Sequence, residues 1–341
     1  MNLFFKITML NRNNHTGTLL LLVVLATIIY SLLYLQVPFI WSMVLSLLIG
    51  LALLGIVIEI IVMNIFKQPI IRKPSIEHDS WSVLTTDCRG IEARALLNRR
   101  KDSGPLVLMV HGWRSSAESV RERAEWFCER GWHALIIEMP GHGKAMQVDK
   151  WTAIRVVEHT VELMTVLSKK LTQNEISNIV FYGHSMGGFV GLNLSKRIDQ
   201  YSWGDKVNGW ILESPMTKYS MVYHNSMKNN MIPQFLNPLI KKRLFAQFNA
   251  LHPNEKPIRV LSQLDVPIWG LPKQPILVIQ AAKDKVLGRD HYDLLLSSMK
   301  ESGLEANLTV HLLEQLKHSG ERINSVRSEL IGKWIEDVGI E

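Results

Sequence analysis

Along this chain the hydrophobic and polar positions fall into two regimes. From Asn13 to Ile58 there is no Asp, Glu, Lys or Arg, and Leu, Ile, Val and Met dominate. A membrane-crossing helix needs about 20 mostly apolar residues. Thr18 to Val37 supplies one such stretch and Phe39 to Phe66 a second, longer one, divided by Pro38. Residues 1–74 are therefore expected to be a membrane anchor with two transmembrane helices, over 18–37 and 39–66. Lys6 and Arg12 resemble the charged start of a secretory signal, but the apolar run is too long and a second span follows at once. Basic residues flank both ends of the pair, Lys6 and Arg12 before it and Lys67, Arg72 and Lys73 after it. Basic flanks stay in the cytoplasm, so the expectation is a multi-pass helical hairpin with both termini there. The uncharged Gln36-Val37-Pro38 link is tight for two full spans; the alternatives are a partly re-entrant pair, or Tyr34, Gln36 and Trp41 as anchors at the far interface. Glu59 falls near the end of the second span, where a carboxylate reaches the headgroups.

After Pro69, Lys73 and Pro74 the pattern becomes that of a globular domain, residues 75–341. Trp81 to Thr86 and Ile91 to Asn98 read as strands around an Asp87-Cys88-Arg89-Gly90 turn. Strands are then expected at Pro105–Val110, His133–Glu138, Ile176–Tyr182, Val207–Leu212, Pro275–Ala281 and Ala306–Leu312. Helices are expected at Ser116–Arg130, Trp151–Leu171, Met186–Ile198, Asp290–Lys300 and Arg322–Val338. Strands spaced by helices imply an α/β fold, a mostly parallel sheet covered on both faces. One interval is too long for a simple crossover: residues 215–267, rich in Met, Tyr, Phe and Pro, read as an inserted lid.

Apolar residues make up 47% of the chain and charged ones 20%, which excludes a disordered chain. The net charge is +7, but the first 73 residues hold five basic residues against one acidic. Only +3 remains on the rest, too little to suggest nucleic-acid binding. Two cysteines, Cys88 and Cys128, make no disulfide framework. No His–Cys cluster has metal-ligand spacing, and no cofactor is expected.

The chemistry gathers around Gly183-His184-Ser185-Met186-Gly187-Gly188, between a predicted strand and a predicted helix. In G-x-S-x-G the glycines permit a cramped strand-to-helix turn that exposes the serine hydroxyl. The serine needs a base, and the base a group to orient it. His318, in the polar segment Lys317-His318-Ser319-Gly320 just past a strand, is the candidate base; His311 falls inside that strand and His291 opens a helix. Asp284, just past the strand ending Ile279-Gln280, is the candidate acid, with Glu213 and Asp265 as fallbacks. The backbone amides of Met186 and of Trp113, in His111-Gly112-Trp113, are the candidate oxyanion-hole donors. His111 and His142 read as structural.

Together His111-Gly112-Trp113, Pro140-Gly141-His142-Gly143, the serine motif, Asp284 and His318 resemble the α/β-hydrolase family of serine hydrolases, in particular its monoacylglycerol-lipase and lysophospholipase-type branch. The likeness covers about residues 78 to 338. Glu138 departs from it, where family members often carry Asp, and the double-span anchor is not part of its common pattern. The resemblance implies an α/β-hydrolase fold and an enzyme acting on carboxylic esters, to which the apolar first 74 residues are expected to add a membrane anchor. It leaves open thioesters, acyl transfer, and a non-catalytic scaffold on the same fold. The expected partners are a small-molecule or lipid ester and the membrane itself.

Overall fold

The structure is a computed structural model that describes residues 15–33, 38–170, 175–319 and 321–340. The chain divides into two compact units. One comprises residues up to Lys67 together with Ser220–Val260; the other comprises Gln68–Tyr219 and Leu261–Glu341.

The first unit contains α1 (His15–Leu33) and α2 (Phe39–Ile65), which pack against one another. Among the described residues one helix, Phe39–Ile65, is long and apolar enough by length and composition to cross a membrane. The first apolar helix begins at His15, ahead of the expected Thr18. Lys6, Arg12, Tyr34, Gln36 and Val37 lie outside the described residues. The expected lid is largely helical, with α6 (Tyr219–Asn229) and α7 (Asn237–Leu251) joined by a short 3-10 turn. Pro238 sits in the first turn of α7, where a missing N–H costs nothing. Within this unit α7 packs against α2, and Arg243 pairs with Glu59.

The second unit is built on eight strands: β1 (Ser82–Cys88), β2 (Ile91–Asn98), β3 (Gly104–Val110), β4 (His133–Glu138), β5 (Ile176–His184), β6 (Val207–Glu213), β7 (Ile276–Ala281) and β8 (Leu308–Leu313). They form one sheet in the order β1-β2-β4-β3-β5-β6-β7-β8, antiparallel over the first three and parallel from β4 onward. The remaining helices are α3 (Arg121–Cys128), α4 (Ala153–Lys170), α5 (Met186–Leu194), α8 (Arg289–Glu301) and α9 (Ser325–Asp337). β4 and β7 are buried at every position, as strands sheltered on both faces must be.

The two-residue period of the strands decides which helix each side chain meets. Val107 and Met109, Ala134 and Ile136, Val180 and Tyr182, and Leu277 and Ile279 share one cluster with Ala124 and Phe127 of α3 and Ile331 and Trp334 of α9. Helices α4 and α5 pack against each other, α4 also against β1 and β2 and α5 against β3 and β5. Two expectations need correction. The first hairpin turns on Arg89-Gly90 alone, both at positive φ (55° and 79°), and β1 runs on to Cys88. The helix expected over Ser116–Arg130 opens as a 3-10 turn, Ala117–Val120, before α3 begins.

Candidate active site

β3 is flanked by β4 on one side and β5 on the other, so successive connections leave it in opposite directions. Such a switch point opens a crevice at the carboxyl ends of the strands. His111-Gly112-Trp113 follows β3 at this crevice, and Ser185 follows β5.

Ser185 has φ 53° and ψ −111°, a region a side chain rarely adopts. The strain is braced from both sides: its N–H donates to the Glu213 carbonyl (3.0 Å), and its carbonyl accepts from Met216 N–H (3.1 Å). Two glycines make room for the turn. A Cβ at Gly187 would lie 1.9 Å from the Val110 carbonyl, and one at Gly112 would meet His184 Nδ1 at 2.8 Å and Ser185 Cβ at 3.5 Å. The start of α5 and the end of β3 are thus in backbone contact. Met186, the first residue of α5, has an amide with no helical partner. Trp113 follows Gly112 directly, its ring edge-on to Trp151 (4.4 Å) and His142 (5.1 Å).

Ser185 Oγ lies 2.9 Å from His318 Nε2, and His318 Nδ1 lies 2.7 Å from Asp284 Oδ2. The other carboxylate oxygen, Oδ1, accepts the amides of Val286 (2.8 Å) and Leu287 (3.0 Å). Burial raises the cost of ionising Asp284, but the His318 hydrogen bond and these amides outweigh it and hold the carboxyl below its ordinary value. Nδ1 therefore carries the proton, leaving Nε2 as acceptor for the serine hydroxyl.

The other candidates sit elsewhere. Glu213 is buried against Arg123, whose Nε is 2.9 Å from Oε2, and Arg327, whose Nη1 is 3.1 Å from Oε1; Tyr182 donates to it as well. Burial opposes its charge, but the two guanidiniums drive its carboxyl strongly down. Asp265 lies in a bridge pairing with Lys218. His111 donates from Nδ1 to the Gly112 carbonyl (2.9 Å) and accepts Met139 N–H at Nε2 (3.2 Å). His142 donates to the Pro140 carbonyl (3.0 Å) and accepts Arg114 N–H (3.2 Å). His291 is buried and accepts the amides of Thr217 (2.9 Å) and Lys218 (3.1 Å). His311 stays in β8. Glu138 is buried in a bond from Arg94 Nε (3.1 Å) and one from the Lys144 amide (2.9 Å). Both cysteines are free and buried. No group of acidic, His and Cys side chains suited to a metal occurs among the described residues.

Sequence reasoning missed two residues. His184 donates from Nε2 to the backbone carbonyl of His318 (2.7 Å). Arg327 reaches the loop that carries His318, donating to the carbonyls of Glu321 (2.9 Å) and Arg322 (3.0 Å). Both contacts join positions over a hundred residues apart or run from side chain to loop carbonyl, and periodicity carries no signal for either.

Comparison with known proteins agrees with this architecture. Residues 102–265 match the family described as serine aminopeptidase, S33. A 115-residue stretch, 34% of the chain, is 28% identical to a Mycoplasma genitalium protein carrying a provisional esterase/lipase name and covers 39% of it. The chain spans well under half the length of the curated relatives it matches. Among solved structures, a Pyrococcus furiosus esterase is similar over 80% of this chain and 99% of its own, at 15% identity and a TM-score of 0.54. A Vigna radiata epoxide hydrolase is similar over 77% and 100%, at 16% identity and a TM-score of 0.53. The second unit has the α/β-hydrolase fold. Because that fold hosts different reactions, the reaction must be argued from the site.

Proposed function

We propose that this chain is a membrane-anchored serine hydrolase that cleaves carboxylic esters derived from lipids, such as a monoacylglycerol or a lysophospholipid. The observation that carries the reading is the hydrogen-bonded series Ser185–His318–Asp284, whose members follow the carboxyl ends of the parallel strands β5, β8 and β7, with Ser185 in a strained turn.

In the proposed mechanism His318 Nε2 takes the Ser185 proton as Oγ attacks the ester carbonyl. Asp284 orients the ring and stabilises the imidazolium. The amides of Met186 and Trp113 are assigned to the tetrahedral oxyanion, at the positive end of α5. Collapse expels the alcohol, which receives the proton from His318, and leaves an acyl-enzyme. Water, deprotonated by the same ring, then releases the acid.

The lipid part of the reading rests on the first unit. The helix from Phe39 to Glu59 rises about 30 Å, the thickness of a bilayer's hydrocarbon core. With Phe39 at one face, the Glu59–Arg243 pair falls at headgroup depth on the other, and α7 with it. The segment holding α7 exposes Met231, Phe235 and Leu239 and carries Lys241 and Lys242, a composition suited to an interface with anionic lipid. The chain from Phe66 to Pro74 is only about eight residues, roughly 25 to 30 Å if fully extended, which favours amphiphilic substrates that partition into the bilayer. A two-helix hairpin with both termini in the cytoplasm remains the proposed topology, with the hydrolase unit on that side.

The test is full-length protein in detergent against p-nitrophenyl esters from acetyl to palmitoyl, then monoacylglycerols and lysophospholipids, with fluorophosphonate labelling in parallel. Labelling lost in Ser185→Ala, with kcat/KM rising toward medium or long chains, is the expected result. A maximum at acetyl with nothing at C8 sinks the lipid assignment, and absence of labelling in folded protein points to a non-catalytic scaffold.

A further inference from the structure

Between Leu313 and Ser325 the described residues, His318 among them, belong to no helix or strand, and Lys317, Ser319, Glu321, Arg322 and Ile323 are exposed. A general base on such a loop needs external restraint, because a misplacement of about 1 Å costs roughly 10²-fold in rate. Two buried side chains reach the loop's carbonyls. From one side, His184 Nε2–H donates to His318 O (2.7 Å). From the other, Arg327 donates to Glu321 O and Arg322 O.

Arg327 is itself held. Its backbone N–H is capped by Asn324 Oδ1 (2.8 Å), which fixes it in the first turn of α9, and its guanidinium is pinned by Glu213. Glu213 faces both ways: its carboxylate holds Arg327, and its backbone carbonyl accepts the Ser185 amide. A single residue thus connects the turn of the candidate nucleophile to the loop of the candidate base. Side-chain exposures of 4%, 1% and 2% for Arg123, Glu213 and Arg327 make this a buried ionic cluster. Such clusters stabilise a fold no better than well-packed apolar residues, so placing a loop is the better account of why donors are directed at its carbonyls.

We propose that Glu213–Arg327 on one side and His184 on the other form a clamp that sets the position of His318 relative to Ser185, making these three positioning residues for ester hydrolysis. The proposal rests on the serine-hydrolase reading above. Neither Glu213 nor Arg327 touches the reacting atoms; they act through the loop.

The test uses the full chain in detergent, with active sites counted by fluorophosphonate titration so that turnover is expressed per competent site. Arg327→Lys keeps the charge opposite Glu213 but loses the planar fork that reaches two carbonyls. We expect kcat per titrated site to fall 10- to 100-fold with KM within about threefold, and the labelling rate to fall by the same factor. A merely structural role lowers the number of titratable sites and leaves turnover per site unchanged. Should Arg327→Lys yield no titratable sites, His184→Leu and His184→Gln decide: the glutamine amide can still donate to His318 O and should recover most of what leucine loses. Wild-type turnover per site in Arg327→Lys or in His184→Leu overturns the clamp. Ser185→Ala and His318→Ala run alongside. If either retains turnover, the hydrolase reading itself falls; if both lose it while Arg327→Lys keeps it, only the clamp falls.

Discussion

Gly187 approaches Val110 so closely that a Cβ at Gly187 would stand 1.9 Å from the Val110 carbonyl oxygen and 2.9 Å from that of His111. Backbone on both sides of the contact means that neither partner can swing away, so Gly187→Ala must push α5 off the end of β3. The expected cost is about 1 to 3 kcal/mol or more, together with at least a tenfold loss of ester turnover as the amide of Met186 moves. Gly332, inside α9, is the control: a Cβ there meets only the Trp126 ring at 3.6 Å. Gly332→Ala should raise stability by roughly 0.5 to 1 kcal/mol through helix propensity. Thermal melts of the two variants check this, and equal behaviour would mean the close approach is not rigid.

Ser185→Ala, His318→Ala and Asp284→Asn should each remove most turnover, Asp284→Asn by about 10⁴ because the ring loses the partner that sets its tautomer. Combined, they should cost little more than the worst single change, since the three act as one unit. Steady-state kinetics on one soluble ester suffices. Additive losses would indicate three independent contributions.

Stability should fall steeply in mild acid. Burial pushes His111 down to about 3, and His142, His159, His184 and His291 to about 4, from an ordinary value of 6.5. Below pH 6.5 the unfolded chain takes up protons at these rings while the native state stays neutral, so stability is lost as pH falls from 6.5 toward 4 and is fully present above 7. Each ring contributes up to about 1.4 kcal/mol per pH unit within that window. Urea midpoints from pH 8 to 4.5 measure it, and His159→Leu, which removes one of the five rings, should flatten the slope. A midpoint constant down to pH 4.5 would contradict the assignment.

Removal of the anchor should expose a dependence between distant segments. A chain beginning at Gln68 keeps the Gln68 side chain that accepts the Val148 amide (2.9 Å) and packs against Gly141, whereas one beginning at residue 75 loses it. Either chain still carries Ser220–Val260 without α2, and should need detergent. Replacing 220–260 as well with a short Gly/Ser linker should give soluble protein, because Lys218 and Asp265 already pair and bring the ends together. Size-exclusion chromatography with and without detergent distinguishes the cases; a chain from Gln68 that is monodisperse in plain buffer would contradict the α2–α7 dependence.

Much of the sheet was legible because most of its parallel strands are short apolar runs followed by a turn signal, and Ser185, Asp284 and His318 each come after a strand. Local pattern suffices for such features. It fails where structure depends on partners remote in sequence: Glu213 was readable only as a carboxylate at a strand end, since nothing local ties it to Arg123 and Arg327. Glu59 could be placed near headgroups but not joined to Arg243, 184 residues away. The 3-10 turn before α3 was hidden because its residues satisfy a helical pattern equally well.

The first unit is drawn from two stretches with Gln68–Tyr219 lying between them. Synthesis at about 5 to 20 residues per second would leave α2 without a complete α7 for roughly 10 to 40 seconds. Over that interval β1 to β6 emerge, but β7 and β8, which carry the sheet to its far edge, follow the α7 segment in the chain. The growing polypeptide therefore holds two half-built units at once, and completes the first only when Val260 has appeared and the second only when α9 has. Translation halted anywhere before α7 would release a chain in which neither unit is whole.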